Sequence, residues 1–121
     1  MTTLLAAILL VESSGNPNPP DGPNGEVGPL QIRQCVVDDV NRFYSLDYNN
    51  LNYTLDDMRE IRNAVVVFRC YLAMYATPSR LGRPVTDQDR ARIWVGGPDG
   101  WRKKSTLPYW RKVQRAMKGQ R

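Results

Sequence analysis

The segment between residues 15 and 29 restricts the fold of this chain more than any other feature, because glycine and proline fill it. Proline removes a backbone donor and clashes with the preceding helical turn, and no helix forms at such a density of both residues. A loop of this length in a small chain is either functional or disordered, and the motifs at both of its ends favour function. The breakers are Gly15, Pro17, Pro19, Pro20, Gly22, Pro23, Gly25, Gly28 and Pro29.

An apolar run over residues 4–11 precedes this loop and ends at Glu12. The run is too short for a membrane span and has no basic segment before it, so we interpret it as a core helix and see no signal peptide. A leader or module upstream of it is left open. Helical spacing puts Leu5, Ile8 and Leu9 on the same side as Glu12. Burial and the negative end of the helix dipole are then expected to raise the pKa of Glu12, as suits a general acid. The alternative is a glutamate in the last turn that points to solvent.

Four further helices are predicted from apolar residues at three- and four-residue spacing. With 121 residues, 41% hydrophobic and 24% charged, the chain is expected to form one small, mainly α domain over residues 1–121. The predicted helices cover residues 33–44, 55–76, 87–94 and 107–118, and at most the stretch from Val27 to Ile32 is extended. The expected N-caps are Thr54, Thr86 in a capping-box variant with Asp89, and Ser105 or Thr106. The expected apolar positions are Cys35, Val36, Val37, Val40 and Phe43, then Ile61, Val65, Phe68, Leu72 and Tyr75, and finally Leu107, Trp110, Val113 and Met117.

The chain has two cysteines and no histidine. Without histidine, Ser-His and Cys-His catalysis and histidine-based metal sites are excluded. Cys35 and Cys70 lack a metal-like spacing, and whether they pair or remain free thiols is left open. We therefore expect no cofactor and no metal.

The positive charge of this chain, +5 in total, is concentrated at its C-terminal end. Such a basic end favours a polyanion, namely a cell-wall polymer, nucleic acid or an acidic membrane, and the alternative is a solvated helix face that aids solubility. The cations are Arg102, Lys103, Lys104, Arg111, Lys112, Arg115, Lys118 and Arg121.

Four motifs occur in a specific order along the chain. They are Glu-Ser-Ser-Gly-Asn-Pro at 12–17, Gly-Glu-Val-Gly-Pro-Leu-Gln-Ile at 25–32, Trp-Val-Gly-Gly-Pro at 94–98 and Tyr-Trp-Arg-Lys-Val at 109–113. This order resembles the soluble lytic transglycosylase and goose-type lysozyme group. The resemblance implies a lysozyme-like fold with a long substrate loop after the first helix. It also implies cleavage of the β-1,4 bond between N-acetylmuramic acid and N-acetylglucosamine in peptidoglycan glycan strands, by a monomer acting at the bacterial cell wall.

The resemblance assigns roles to individual residues. Glu12 would protonate the glycosidic oxygen, and Ser13 or Ser14 would orient it or contact the sugar, although either serine could instead cap the helix. Gln31 would offer an amide to the sugar, or else anchor the loop. The expected substrate-binding residues are Ser13, Ser14, Gly28, Gln31, Gly96, Gly97 and Tyr109, of which Tyr109 could also be an ordinary core residue. Val95 departs from the family, which usually has asparagine there, so activity could be lower.

The reaction type depends on whether a second carboxylate takes part. Sugar hydrolysis ordinarily needs two carboxylates, whereas a lytic transglycosylase uses one and leaves a 1,6-anhydro end. Asp21 and Glu26 are the candidates for a second acid, and both could instead be solvated loop residues. The Glu-Ser start and the glycine motif favour a lytic transglycosylase, with a hydrolase as the alternative.

A function of a different class stays open. A basic helical chain with Trp94, Trp101 and Trp110 could bind nucleic acid, or could bind the wall without catalysis. Burial of a carboxyl group costs free energy, and a nucleic-acid function would give Glu12 no role that compensates for this cost. We therefore expect no nucleic acid partner.

Overall fold

The computed structural model of the chain describes residues 2–44 and 51–119, and these are mainly α-helical, as predicted. The helices are α1 (Thr2–Ser13), α2 (Gln34–Tyr44), α3 (Ile61–Tyr75), α4 (Pro78–Leu81), α5 (Asp87–Gly96) and α6 (Leu107–Lys118). Single turns of 3₁₀ helix occur at Asp56–Arg59, Gly100–Arg102 and Lys104–Thr106. The described ranges contain no β-strand, and the predicted extended stretch forms one antiparallel bridge, between Val27 and Ile32. None of the described helices has the length and apolar character needed to cross a membrane.

Backbone contacts divide the chain into two compact units. We call Glu12–Tyr71 the loop unit, and Met1–Val11 together with Leu72–Arg121 the terminal unit. The one-domain organisation over 1–121 and the lysozyme-like fold stay predictions. In the loop unit the buried apolar residues are Val27, Leu30, Ile32, Val36, Val37, Val40, Met58, Ala64, Val67, Phe68 and Tyr71. In the terminal unit they are Leu4, Ala7, Ile8, Leu72, Leu81, Ala91, Ile93, Trp94 and Val113.

The helix predicted over 33–44 is confirmed as α2, but its buried face is narrower than expected. Val36, Val37 and Val40 are buried, while Cys35 and Phe43 are exposed, Phe43 by 60%. The three valines, spaced i, i+1 and i+4, already complete a buried stripe on one side of the helix. Phe43 has the helical spacing of this stripe but lies in the last turn of α2, where its exposed ring packs edge-on against the ring of Tyr44, with 5.0 Å between ring centroids.

The helix predicted over 55–76 is interrupted, and this part of the prediction is wrong. The chain makes a 3₁₀ turn at Asp56–Arg59, becomes extended at Glu60, and only then begins α3. Thr54 and Asp57 close the turn reciprocally, because each backbone N–H donates to the side chain of the other, at 2.8 and 3.2 Å. The side-chain amide of Asn63 then donates to the Asp57 carbonyl at 3.2 Å, which holds the end of the turn in place.

The buried face of α3 also differs from the predicted one. Of the predicted set, Phe68 and Leu72 are buried, but Ile61 is exposed. The residues that complete the buried face are Ala64, Val67 and Tyr71. Apolar residues occur on all sides of this helix, so their spacing alone does not select one face.

The last two predicted helices are confirmed as α5 and α6. Thr86 and Asp89 form the predicted capping box at α5. At α6 Thr106, one of the two expected residues, is at the N-cap position, but its side chain caps no N–H of the helix. The buried Thr106 hydroxyl accepts from Nε of Arg92 at 2.8 Å and lies 2.8 Å from the carbonyl oxygen of Gly100. These bonds fix the segment between α5 and α6.

Both cysteines are free thiols, which answers the question of their pairing. Cys35 is exposed on α2, and Cys70 is half-buried in α3. Burial raises the pKa of the Cys70 thiol, and a hydrogen bond with Tyr44 opposes that rise. Cys70 is therefore a weakly reactive packing residue.

Candidate functional site

Glu12 lies in the last turn of α1, as the apolar run predicted, and its side chain is half-buried. One turn earlier Ile8 is completely buried, so the carboxyl group continues an apolar face of the helix. The last carbonyl groups of a helix also carry partial negative charge, which disfavours an ionised carboxylate. The rise in the pKa of Glu12 stays a prediction.

The chain reverses immediately after Glu12 through two left-handed residues. Ser14 has φ 54° and Gly15 has φ 78°, and the N–H of Asn16 donates to the Ser13 carbonyl at 2.9 Å. Helices commonly end on a left-handed residue, usually glycine, and a serine there carries a steric cost. Ser14 thus ends α1 through its backbone and leaves its side chain exposed, whereas Ser13 is buried.

Glu26 organises the middle of the loop. Its carbonyl accepts from the Gly22 N–H at 2.8 Å, and its carboxylate accepts from the Asn24 N–H at 2.8 Å. The same carboxylate lies over Gly22, where a Cβ atom would overlap it. Glu26 therefore holds a turn with its backbone and its side chain.

Gln31 anchors the far end of the loop. Its side-chain amide donates to the carbonyl of Gly28 at 3.0 Å and, more weakly, to that of Pro20 at 3.4 Å. Its backbone is left-handed, with φ 49°, and its N–H also donates to Gly28 at 2.9 Å. Gln31 therefore anchors the loop, and its half-buried amide keeps further hydrogen-bonding capacity.

Gly28 is required by a close approach between two backbone segments. It has φ 80°, and a Cβ atom there would overlap the Met58 carbonyl oxygen and lie 3.2 Å from Cα of Arg59. The loop thus packs directly on the 3₁₀ turn Asp56–Arg59. This packing is a structural reason for the glycine, and its expected contact with substrate stays a prediction.

Asp21 is bound by an arginine that the sequence analysis did not single out. Arg59 donates from Nη1 and Nη2 to the two carboxylate oxygens of Asp21 at 2.8 and 3.2 Å, and from Nε to Asp56 at 2.8 Å. The hydrogen bond with Arg59 holds the pKa of Asp21 below its usual value. The two acids in turn raise the pKa of Arg59, chiefly through the Asp21 hydrogen bond. Asp21 is thus an exposed, ionised anchor, and each of its two carboxylate oxygens accepts a hydrogen bond from Arg59.

A cavity of about 210 Å³ opens beside this anchor. It is lined by Pro17, Asn18, Pro19, Gly28 and Arg59. Asn18 is held by its own N–H, which donates to the Asn16 side chain at 2.9 Å. Both ends of the loop and the 3₁₀ turn therefore line one small space.

Gly96 and Gly97 belong to the terminal unit, where they end α5. A Cβ atom on Gly96 would lie 2.5 Å from Cγ2 of Thr106, and Gly97 has φ 87°. Lys103 donates from Nζ to the Gly96 carbonyl at 2.8 Å, which places a cation at the negative end of α5. Both glycines thus have local structural reasons to be there.

Val95 and Tyr109 also lie in the terminal unit and are half-buried. Tyr109 is in the first turn of α6, and Val95 in the last turn of α5. The predicted site residues are therefore divided: Glu12, Ser13, Ser14, Asp21, Glu26, Gly28 and Gln31 are in the loop unit, and Gly96, Gly97 and Tyr109 are in the terminal unit. Their roles toward a ligand stay predictions.

The basic end contains two kinds of cation. Lys103 is bound to Gly96, and Arg102 pairs with Asp99 at 3.2 Å and stacks on Trp101. The others are exposed and have no acidic partner in the part of the chain that the structure describes: Lys104, Arg111, Lys112, Arg115 and Lys118. Arg121 lies outside the described residues.

Arg59 is the residue that sequence reasoning missed. The Asp-Asp-Met-Arg sequence at 56–59 carries a signal for the local pair with Asp56, at i and i+3. Nothing in the sequence connects Arg59 to Asp21, because only the folded loop brings positions 38 residues apart into contact.

No model of a known protein family matches this chain, and no curated protein sequence matches it. Within residues 2–44 and 51–119, cysteine, aspartate and glutamate form no cluster that could hold a metal ion. In and beside the loop, the groups described above that could take part in chemistry are the carboxyl groups of Glu12, Asp21 and Glu26, the guanidinium group of Arg59 and the side-chain amide of Gln31.

Proposed function

We propose that this protein is a peptidoglycan-cleaving glycosidase that acts at the bacterial cell wall, with Glu12 as general acid and base. The observation that carries the proposal is the half-buried Glu12 in the last turn of α1, directly before a hydrogen-bonded loop. A carboxyl group on an apolar face can stay protonated near neutral pH and deliver that proton to a leaving group. The order of the four sequence motifs supplies the substrate class.

The proposed reaction is that of a lytic transglycosylase. Glu12 donates its proton to the glycosidic oxygen as the bond from C1 of N-acetylmuramic acid breaks, and N-acetylglucosamine leaves with a free 4-hydroxyl. The Glu12 carboxylate then takes the proton of the muramic acid 6-hydroxyl while O6 bonds to C1. A 1,6-anhydro ring forms, no water is consumed, and Glu12 is protonated again.

The loop acids support this reaction over hydrolysis. Asp21 is paired with Arg59 through both of its oxygens, and its lowered pKa makes it a weak base. Glu26 uses its carboxylate to bind the Asn24 N–H and close a turn. Because both carboxylates already hold the structure of the loop, these contacts favour a mechanism that needs one catalytic carboxyl group over a mechanism that needs two.

The loop also offers a group suited to an N-acetylated sugar. The Gln31 amide can exchange a weak bond to Pro20 for one to an acetamido group, since that bond is 3.4 Å long. The Arg59 guanidinium already binds Asp21 and Asp56, so it is left to hold the loop. We propose Gln31 as the substrate contact of the loop unit.

The test is mass spectrometry of purified peptidoglycan after digestion with the wild-type protein and with Glu12→Gln. The proposal expects muropeptides that are lighter by one water than hydrolysis products, and it expects none from Glu12→Gln. Products with ordinary reducing ends would establish the hydrolase alternative. If folded wild-type protein leaves the peptidoglycan undigested, the proposed glycosidase activity is rejected.

A further inference from the structure

A second cavity lies entirely within the terminal unit and contains none of the predicted site residues. Its volume is about 400 Å³, which is within the range of about 300–1,000 Å³ typical of small-molecule sites. The first turn of α5 and one face of α6 form it. It is lined by Thr86, Asp87, Gln88, Trp110, Gln114, Met117 and Lys118.

The α6 side of this cavity is a regular face of the helix. Trp110, Gln114, Met117 and Lys118 follow one another at i, i+4, i+7 and i+8, so they project in one direction. Over this span the helix rises by about 12 Å. The face begins with a half-buried indole ring and ends with an exposed ammonium group.

Polar side chains that line the cavity keep hydrogen-bonding capacity that other residues do not use. The side chains of Gln88, Gln114 and Trp110 make no hydrogen bond to another residue within the described ranges. Asp87 is held by Arg90, whose Nη1 donates to it at 2.9 Å, and this leaves further acceptor capacity on its carboxylate. An aromatic surface is therefore surrounded by amide donors and acceptors that lack protein partners.

We propose that this cavity is a second saccharide-binding site, which takes a neutral N-acetylated pyranose of a wall glycan. A pyranose ring has an apolar face of C–H groups that can pack on an indole, and hydroxyl groups around its edge that require donors and acceptors. Gln88, Gln114 and Asp87 supply these at the rim. A purely apolar ligand would strip water from the two amides without replacing their hydrogen bonds.

A nucleotide fits the same cavity less well. Its base could stack on Trp110, but its phosphate would face the carboxylate of Asp87 as well as the ammonium group of Lys118. The choice of a wall glycan as the source of the sugar rests on the proposed function. Its role would be to hold the terminal unit on a glycan strand while the loop unit acts on the bond to be broken.

The experiment follows ¹⁵N-labelled Glu12→Gln protein by NMR during titration with the neutral tetramer of β-1,4-linked N-acetylglucosamine. The Glu12→Gln substitution prevents turnover, and the indole N–H signals of the three tryptophans give separate reports. We expect the Trp110 indole signal and the side-chain amide signals of Gln88 and Gln114 to shift together with one dissociation constant. Adding Gln114→Ala should weaken this binding about three- to tenfold, as the loss of one neutral hydrogen bond does.

Gln114 is exposed, so Gln114→Ala should fold normally. The matched control is Arg115→Ala, at the neighbouring exposed position of α6 outside the cavity, which should not alter the titration. Signals that shift only in the loop unit, an unchanged affinity in Gln114→Ala, or a Trp110 response to a mononucleotide but not to the tetramer would each overturn the proposal. Lysis by the wild-type protein is measured separately: its absence rejects the proposed function alone, and an unmoved Trp110 signal rejects this site alone.

Discussion

The guanidinium group of Arg59 donates two hydrogen bonds to the carboxylate of Asp21, at 2.8 and 3.2 Å. This pair fastens the first half of the loop to the 3₁₀ turn before α3, at the point where Gly28 packs against the backbone of the same turn. The loop acid that the sequence offered as a second catalytic group is thereby engaged as an anchor. Asp21 therefore differs from Glu12, which we propose as the catalytic acid.

Glu12→Gln should abolish lysis of cell walls while the protein stays folded. The amide keeps the size of the side chain but has no proton to transfer, and general acid catalysis is typically worth about 10²–10⁴-fold in rate. A turbidity assay on purified walls measures the loss, and circular dichroism checks the fold. The matched control is Glu60→Gln, an exposed glutamate of the same unit, which should lyse as the wild type does. Comparable lysis by folded Glu12→Gln would show that Glu12 is not the catalytic acid.

Asp21→Asn and Glu26→Gln should each lower lysis by less than Glu12→Gln does. Both changes weaken a loop contact, to Arg59 or to the Asn24 N–H, but both leave Glu12 in place. Limited proteolysis should show faster cleavage in the loop of both variants, because a loosened loop opens more often. If either variant is as inactive as Glu12→Gln while its loop resists the protease as well as the wild-type loop does, the two-carboxylate hydrolase is the better mechanism.

Ser14→Gly and Ser14→Ala separate the two roles of Ser14. Glycine removes the steric cost of the left-handed backbone, which stabilises the folded state, but its greater freedom in the unfolded chain opposes this gain. The free energy of unfolding should therefore rise by up to about 1 kcal/mol. Alanine keeps the steric cost and should give no such gain. If the exposed hydroxyl binds sugar, both variants should lose lysis equally, about three- to tenfold. Full lysis by both would leave Ser14 with a capping role only. Urea denaturation and the turbidity assay supply the two measurements.

Asp89→Asn should destabilise the protein, by about 1–3 kcal/mol, because the buried Asp89 completes the α5 capping box and accepts two hydrogen bonds from Arg83, both at 2.7 Å. Burial acts to raise the pKa of Asp89, but Arg83 and Thr86 outweigh it and the net shift is downward. A lowered folded pKa means that the contribution is present above the unfolded pKa, about 3.9, and is lost as the pH falls through the folded value.

Thermal melts from pH 7 to pH 2 test this sign. The gap in melting temperature between the wild type and Asp89→Asn should stay constant down to about pH 4 and then shrink. The control is Asp87→Asn, which removes a partly exposed carboxylate from the same helical turn and should cost less. A gap that widens on acidification would contradict the assignment.

Binding to whole walls should depend on the exposed cations of the basic end and weaken as salt rises. Such long-range attraction is screened strongly, since the Debye length is about 3 Å at 1 M salt. Lys104→Glu together with Lys112→Glu should weaken co-sedimentation with walls at low salt. Arg33→Glu together with Arg62→Glu changes the net charge equally in the loop unit and should have a smaller effect. If binding to walls changes neither with salt nor with the Lys104→Glu and Lys112→Glu substitutions, the basic end is only a solvated helix face.

Lys103 should behave differently from its basic neighbours. Its ammonium group binds the Gly96 carbonyl at the end of α5, so Lys103→Glu should lower the free energy of unfolding, by about 1 kcal/mol or more, through the reversed helix-dipole interaction and the lost hydrogen bond. Lys104→Glu, one position along, should leave stability within about 0.5 kcal/mol of the wild type. Equal stabilities of the two variants would show that the Lys103 bond contributes nothing.

The sequence by itself determined the features that depend on local chemistry. The density of glycine and proline placed the loop, the run of apolar residues placed α1 with Glu12 at its end, and Thr86 with Asp89 marked the start of α5. Each of these rests on interactions within a few positions of the chain, and their energies differ little between one fold and another.

Only the tertiary structure decided how distant segments share their polar groups. The pairing of Asp21 with Arg59 and the hydrogen bond between Thr106 and Arg92 both depend on contacts between separate segments. A sequence does not distinguish a carboxylate, hydroxyl or glycine that contacts a ligand from one that contacts a neighbouring backbone segment. Which of these tasks it performs depends on the donors and acceptors that folding brings within about 3 Å of it.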